Sequence, residues 1–339
     1  MKVLVTGGLG YIGSHTVVSL LSAGHTVVVL DNLDNTRVEV LNALESLTLH
    51  KIPFYAADIR SSEALQHLFL KEEVEAVIHF AAKKSVSEAL INPLMYFDHN
   101  VKGLLNILEA CEKFKVSKFV FSSSCAVYGE PKQLPVDEQS PTQIALSPYG
   151  NTKRIGEEIV QEYSMLNRSF KSILLRYFNP VGAHASGLIG ELPSGIPSNL
   201  MPFVAQSAAG LLGPVKVFGY DYNTPDATAI RDYIHVMDLA EAHVKSLEYL
   251  NKMNAKVEVF NVGSGIGYSV LQLLNTFQQV NKLKLNIEFA PRRKGDIEMI
   301  WADASKIREL MSWRSQRDLL EMCSSAWKWQ QYVVNQRIK

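Results

Sequence analysis

Apolar positions in the first half of the chain follow two alternating rhythms. Short β-branched and aromatic runs at 3–6, 26–30, 54–57, 74–80, 118–122 and 172–176 predict six strands. Between them, 12–23, 61–71 and 96–114 carry apolar residues at helical spacing. Ser147-Pro148 opens a further helix that runs to about Leu166. Strands alternating with helices predict a parallel sheet covered on both faces. After Phe178 the rhythm breaks, with loop signals at Asn179-Pro180, around Pro193 and Pro197, and from Tyr220 to Pro225. The expected fold is α/β: a doubly wound parallel sheet over 1–180 and a smaller α/β substrate domain over 181–339. Some segment of the second domain is expected to return to the first sheet.

The first strand runs into Gly7-Gly8-Leu9-Gly10-Tyr11-Ile12-Gly13, which opens the first helix. Glycines there permit a tight turn and close approach of backbone to a pyrophosphate at the helix N-terminus, the Rossmann arrangement. Gly7, Gly10 and Gly13, with Tyr11 and Ile12, are therefore candidate cofactor residues. The second strand ends in Leu30-Asp31, about twenty residues on, where a carboxylate can bind ribose hydroxyls. Asp31 would repel a 2′-phosphate, so the expected cofactor is NAD rather than NADP.

Downstream, Tyr149 and Lys153 stand four apart on one helical face. A free tyrosine titrates near ~10 and is almost wholly neutral at pH 7. A nearby ammonium, together with an oxidised nicotinamide, is expected to lower that value and make the phenol a base for a sugar hydroxyl. The pair points to an enzyme that removes a hydride from an alcohol.

The 339 residues include 34 basic and 34 acidic side chains. That balance removes the electrostatic case for nucleic acid or an anionic membrane as partner. Cys111, Cys125 and Cys323 are odd in number and lack C-x-x-C spacing, which predicts a reduced, cytoplasmic chain without zinc or disulfides. No run has the length of a membrane span, and no metal site is expected. His79 is expected to be a core histidine, and His243 to lie on a solvated helix face.

Together, Val5-Thr-Gly-Gly-Leu-Gly-Tyr-Ile-Gly-Ser-His15, Phe121-Ser-Ser-Ser124, Ser147-Pro-Tyr-Gly150, Arg176-Tyr-Phe-Asn-Pro-Val-Gly-Ala-His184, Arg231-Asp-Tyr-Ile-His-Val-Met-Asp-Leu239 and Ala290-Pro-Arg-Arg-Lys-Gly-Asp296 resemble the extended short-chain dehydrogenase/reductase family. Within it they are most similar to enzymes that epimerise C4 of UDP-sugars through a 4-keto intermediate. The resemblance implies that Ser124, Tyr149 and Lys153 are catalytic. It implies that Asp31, Asn32, Asn35 and Thr36 meet the adenosine ribose, and Asp58 and Ile59 the adenine. Phe80, Ala81, Ala82, Lys84 and Phe178 would line the cofactor. Asn179, Asn199, Leu200, Lys216, Val217, Phe218, Arg231, Tyr233, Arg292 and Asp296 would hold the uridine diphosphate. A homodimer built through helices of the first domain is implied in the same way.

Rival readings are a nucleotide-sugar 4,6-dehydratase, a net dehydrogenase and a non-catalytic NAD sensor. The first needs an acid and a base beside the catalytic hydroxyl, where this chain has Cys125 and Ala126. The second needs a freely exchanging cofactor, and the third has no use for Ser124, Tyr149 and Lys153 together. Two positions depart from better-known members. His99 replaces a common asparagine near the cofactor. Ile300 replaces a tyrosine that narrows the sugar pocket in some of them, which predicts activity on N-acetylated UDP-sugars.

Overall fold

A computed structural model describes residues 1–145, 147–293 and 295–338; Lys294 of the Ala290–Asp296 motif lies outside the described residues. Seven strands form one parallel sheet in the order Val257–Val262, Lys171–Tyr177, Lys118–Ser124, Ala76–His79, Lys2–Thr6, Thr26–Asp31, Phe54–Ala56. The five inner strands are short, rich in β-branched and apolar residues and almost wholly buried, the pattern expected of a sheet covered by helices, while the edge strands Phe54–Ala56 and Val257–Val262 are partly exposed. The chain leaves the central strand Lys2–Thr6 toward Thr26–Asp31 on one side and is joined by Ala76–His79 on the other. That reversal opens a crevice at the C-terminal strand ends, where ligands bind in such folds.

The seventh strand comes from the second half of the chain: Val257–Val262 pairs in parallel with Lys171–Tyr177. The helix before it, Val236–Lys252, packs on the first helix, Tyr11–Ser22. His243 on that helix is fully buried, correcting the expected solvated face. Its Nδ1 bonds the Leu239 carbonyl and its Nε2 takes the Tyr177 hydroxyl at 2.6 Å. His79 is 2 % exposed, bonded to Thr6 and stacked between Phe119 and Phe121.

The remaining strands form two small sheets. Ile230–His235 pairs with Gly267–Ser269, Met299–Ile300 and Asn179–Val181, and Val215–Phe218 pairs with Ile287–Ala290. Helices Leu200–Ala208, Val270–Asn281 and Leu319–Ile338 pack around a second core containing Val204, Val217, Leu273 and Phe277. A third apolar group, with Val127, Tyr128, Phe178 and Ile300, lies between the two halves.

The helix expected over 96–114 is interrupted. Pro93–Phe97 and Gly103–Lys113 are α-helical, but Asp98–Lys102 between them forms a π-turn. One residue is thereby added to a turn, a device that re-aims side chains at functional sites. Among the described residues no helix is long and apolar enough to cross a membrane.

Candidate active site

The glycine loop leaves Thr6 at the crevice. Gly7 has φ +68°, and a Cβ there would meet the Ala81 nitrogen at 2.8 Å. A Cβ at Gly13 would meet the Gly7 carbonyl at 2.2 Å. Both positions thus admit only glycine. Gly10, the N-cap, has no side chain, so the first-turn N–H groups of Tyr11, Ile12 and Gly13 can face an anion. Asp31 is 4 % exposed and anchors the loop, accepting from Leu9 N at 3.1 Å, Leu33 N at 3.0 Å and Thr36 Oγ1 at 2.8 Å. This cradle fits the pyrophosphate and ribose of a dinucleotide.

The other cofactor candidates gather at the same strand ends. Phe80, Ala81, Ala82 and Lys84 follow Ala76–His79, and Phe178 follows Lys171–Tyr177. Asp58 accepts from Asn32 Nδ2 and from the Arg60 guanidinium, whose hydrogen bonds hold its carboxyl well below the usual range. Ile59 is 7 % exposed and packs against Gly103, so its backbone is what remains for a ligand. Asn35 is exposed. His99 turns to the Met95 carbonyl at 2.9 Å and to Arg60. The residue that reaches inward from the π-turn is its neighbour Asn100, which sequence reasoning missed because a 3.6-residue period leaves no room for the extra residue. Asn100 bonds both Lys83 backbone groups and Thr152 Oγ1.

Ser124 ends its strand opposite Tyr177, and its Oγ caps the short 3₁₀ turn Cys125–Tyr128. Ser147 caps the helix Pro148–Leu166 by accepting from Gly150 N at 3.2 Å, which sets Tyr149 in the first turn and Lys153 one turn on. Lys153 is 6 % exposed and donates to the Ser122 carbonyl at 2.6 Å and to Ser122 Oγ at 3.1 Å. Below it, Glu157 pairs with Arg176 at 2.7 Å and accepts from Ser123 at 2.5 Å. Consecutive serines 122, 123 and 124 therefore bind the lysine, the ion pair beneath it and the turn that follows the strand.

Burial pushes the Tyr149 phenol up to about 12; a hydrogen bond with Ser124 works the other way, and Cys125 adds to the rise. Burial also lowers Lys153 to about 8, opposed by the charge of Glu157. Burial therefore keeps the phenol neutral, and Lys153 directs two of its three donors to Ser122. The Cys125 thiol is pushed up to about 12 by burial and is no nucleophile.

Two residues beyond Tyr177 a cleft of about 190 Å³ begins, lined by Asn179, Asn199, Leu200, Lys216, Phe218, Arg231, Tyr233 and Asp296. Strand alternation aims Lys216 and Phe218 at the cleft and sends Val217, 1 % exposed, into the core, so Val217 offers only backbone. Arg231 pairs with Asp296 at 2.5 Å, joining two cleft residues rather than taking Asp226 or Asp232. Arg292 stands aside, bonded to Asp221 at 2.7 Å and stacked on Tyr222. Its neighbour Arg293, not singled out by the sequence, lines the cleft over the Phe218 ring. Ile300 is 2 % exposed and packs behind Phe178 rather than on the cleft wall. Among the described residues no three His, Cys, Asp or Glu side chains converge as metal ligands.

Comparison with known proteins agrees with this geometry. The GDP-mannose 4,6 dehydratase family model matches residues 4–326. A UDP-glucose 4-epimerase of Bacillus subtilis (strain 168) is 48 % identical over 336 residues, covering 99 % of this chain and 98 % of its own. The solved UDP-glucose-4-epimerase of Stenotrophomonas maltophila, with bound NAD and formylated UDP-arabinopyranose, superposes with a TM-score of 0.96 at 45 % identity, over 99 % of each chain. That of Bifidobacterium longum, in complex with NAD+ and UDP, gives 0.95 at 41 % identity, again over 99 % of each.

Proposed function

Because the chain belongs to the GDP-mannose 4,6-dehydratase family of extended short-chain dehydrogenases/reductases, in its UDP-glucose 4-epimerase branch, we propose that its crevice and cleft form one active site. The enzyme interconverts UDP-glucose and UDP-galactose by inverting C4 through a 4-keto sugar, with NAD as cofactor. What supports this reading is that Tyr149 and buried Lys153 share one helix, that Ser124 ends its strand opposite Tyr177, and that a cleft bearing Arg231 and Arg293 begins two residues beyond Tyr177.

Bound NAD supplies the acceptor and donor of hydride. Gly7, Gly10, Tyr11, Ile12 and Gly13 would hold its pyrophosphate, and Asp31, with Asn32, Asn35 and Thr36, its adenosine ribose. Tyr149 takes the proton from the sugar 4-hydroxyl and returns it at the end. The positive charge of an oxidised nicotinamide, when bound, and that of Lys153 would both favour the phenolate. Ser124 donates to the same sugar oxygen as its charge changes. Arg231 and Arg293 match a diphosphate, while Phe218 flanks uracil. Nucleotide contacts remote from C4 keep the planar ketone from leaving while it turns.

A dehydratase of the kind that names the family model needs an acid and a base beside its hydroxyl residue. The turn after Ser124 offers Cys125 and Ala126 instead. We extend the epimerase reading to N-acetylated UDP-sugars on the strength of Ile300. Free Cys111, Cys125 and Cys323 support a cytoplasmic enzyme. Leu90, Ile91 and Leu94, 61 %, 77 % and 82 % exposed on the helices beside Pro148–Leu166, support a homodimer.

The test is incubation of the purified protein with UDP-galactose and no added NAD, alongside Tyr149→Phe. Wild type should form UDP-glucose, and the variant should lose about 10²–10⁴-fold in turnover while keeping its NAD. Normal turnover by Tyr149→Phe would sink the assignment.

A further inference from the structure

Glu191 belongs to neither the cofactor set nor the nucleotide set, yet it touches both. Its Oε1 accepts from Lys84 Nζ at 2.8 Å and from Asn199 Nδ2 at 2.9 Å. Lys84 comes from the loop after Ala76–His79, beside the glycine loop, with its ammonium 6.0 Å from the Tyr11 ring. Asn199 comes from the nucleotide cleft. The Glu191 backbone is itself pinned, its carbonyl accepting from Trp329 Nε1 at 3.0 Å.

Two features show that this carboxylate is not an ordinary surface partner. Its side chain is 10 % exposed, against 54 % for Lys84. Asn199 is the N-cap of the helix Leu200–Ala208, where an asparagine side chain commonly accepts from its own first turn. Here it makes no such cap bond, and its amide is turned to Glu191. An acid that also lines a cleft built for a diphosphate works against binding, so it needs another use.

We infer that Glu191 is a positioning residue of the sugar pocket, holding Lys84 on the cofactor side and Asn199 on the nucleotide side at a fixed spacing on one oxygen. The inference rests on the epimerase reading. A ketone that must turn over inside its pocket needs walls that keep their distance while binding neither epimer tightly. Without Glu191 those walls part, and the ketone turns less reliably or leaves before hydride returns. Escape strands the enzyme with reduced cofactor. Lys84, 54 % exposed, keeps its hydration when Glu191 is removed, so stability should hardly change.

The experiment compares NAD-loaded wild type, Glu191→Ala, Glu191→Gln, Asn199→Ala and the Glu191→Ala/Asn199→Ala double variant. Glu191→Ala should lose about 10–100-fold in kcat, while KM and the Kd for UDP move by less than about threefold. It should accumulate the near-ultraviolet absorbance of reduced nicotinamide over successive turnovers, with Tm close to wild type. Glu191→Gln, which keeps the acceptor oxygen but not the charge, should fall between. The double variant should lose less than the product of the single losses. Unchanged kcat in Glu191→Ala, or full additivity with Asn199→Ala, overturns the role of Glu191 alone. Wild type that fails to turn over UDP-galactose overturns the epimerase reading, and this inference with it.

Discussion

Asn100 Nδ2 donates to Thr152 Oγ1 at 2.9 Å, tying the π-turn to the residue just before Lys153. The same side chain bonds Lys83 N at 2.8 Å and Lys83 O at 3.0 Å, so one buried amide joins the loop after Ala76–His79 to the helix Pro148–Leu166. Asn100→Ala would leave buried donors and acceptors unmatched, at a cost of about 1–3 kcal/mol. We expect lower stability in urea unfolding and faster loss of NAD on gel filtration. Unchanged cofactor retention would show that the tie is structural only.

Lys153 gives activity and stability opposite pH trends. Its folded value, about 8, lies below its ordinary 10.5. The ammonium is present below about pH 8 and is lost as pH rises through it, so kcat should fall on that limb. Between about 8 and 10.5 the unfolded chain binds more protons, so this residue makes the fold more stable as pH rises. Because Glu157 raises the lysine's value, Glu157→Gln should move the falling limb of kcat to lower pH. A limb that stays in place would remove Lys153 from the step.

Ile300→Tyr tests the sugar pocket. The added bulk should suppress turnover of UDP-N-acetylgalactosamine by about tenfold or more relative to UDP-galactose, in line with the discrimination a filled apolar pocket achieves. Undetectable N-acetyl activity in wild type, beside normal turnover of UDP-galactose, would refute the extended substrate range. Since Ile300 is buried behind Phe178, the tyrosine acts by displacing its neighbours into the pocket.

Leu94→Glu tests the dimer. A carboxylate on that exposed apolar helix should halve the mass measured by light scattering at micromolar protein, while NAD stays bound. A wild-type monomer would overturn the proposal.

Much of this arrangement was legible in the residues. Six of the seven strands of the first sheet announce themselves as β-branched or aromatic runs, and Gly7 to Gly13 and Asp31 point to a dinucleotide loop by chemistry alone. What escaped depends on partners distant in the chain. His243 shares a helix with Asp238 and Glu241, charges that suggest a solvated face; packing on Tyr11–Ser22 as well as on the sheet buries both His243 and Asp238. Arg292 and Arg293 are indistinguishable in sequence, and Asp221 and Tyr222 decide which one leaves the cleft. Asn100 was hidden by a π-turn that no regular period encodes, and Glu191 by having no motif of its own.

The strand Val257–Val262 also constrains how the enzyme is made. It completes the first sheet only after the chain has left that sheet and made the helices Leu200–Ala208 and Val236–Lys252. On the ribosome, the edge of Lys171–Tyr177 therefore waits, uncovered, through the synthesis of more than one intervening helix. During that interval it is a pairing template for other chains. Aggregation in the cell should accordingly respond to the speed of translation between Tyr177 and Val257 more than to the stability of the finished fold.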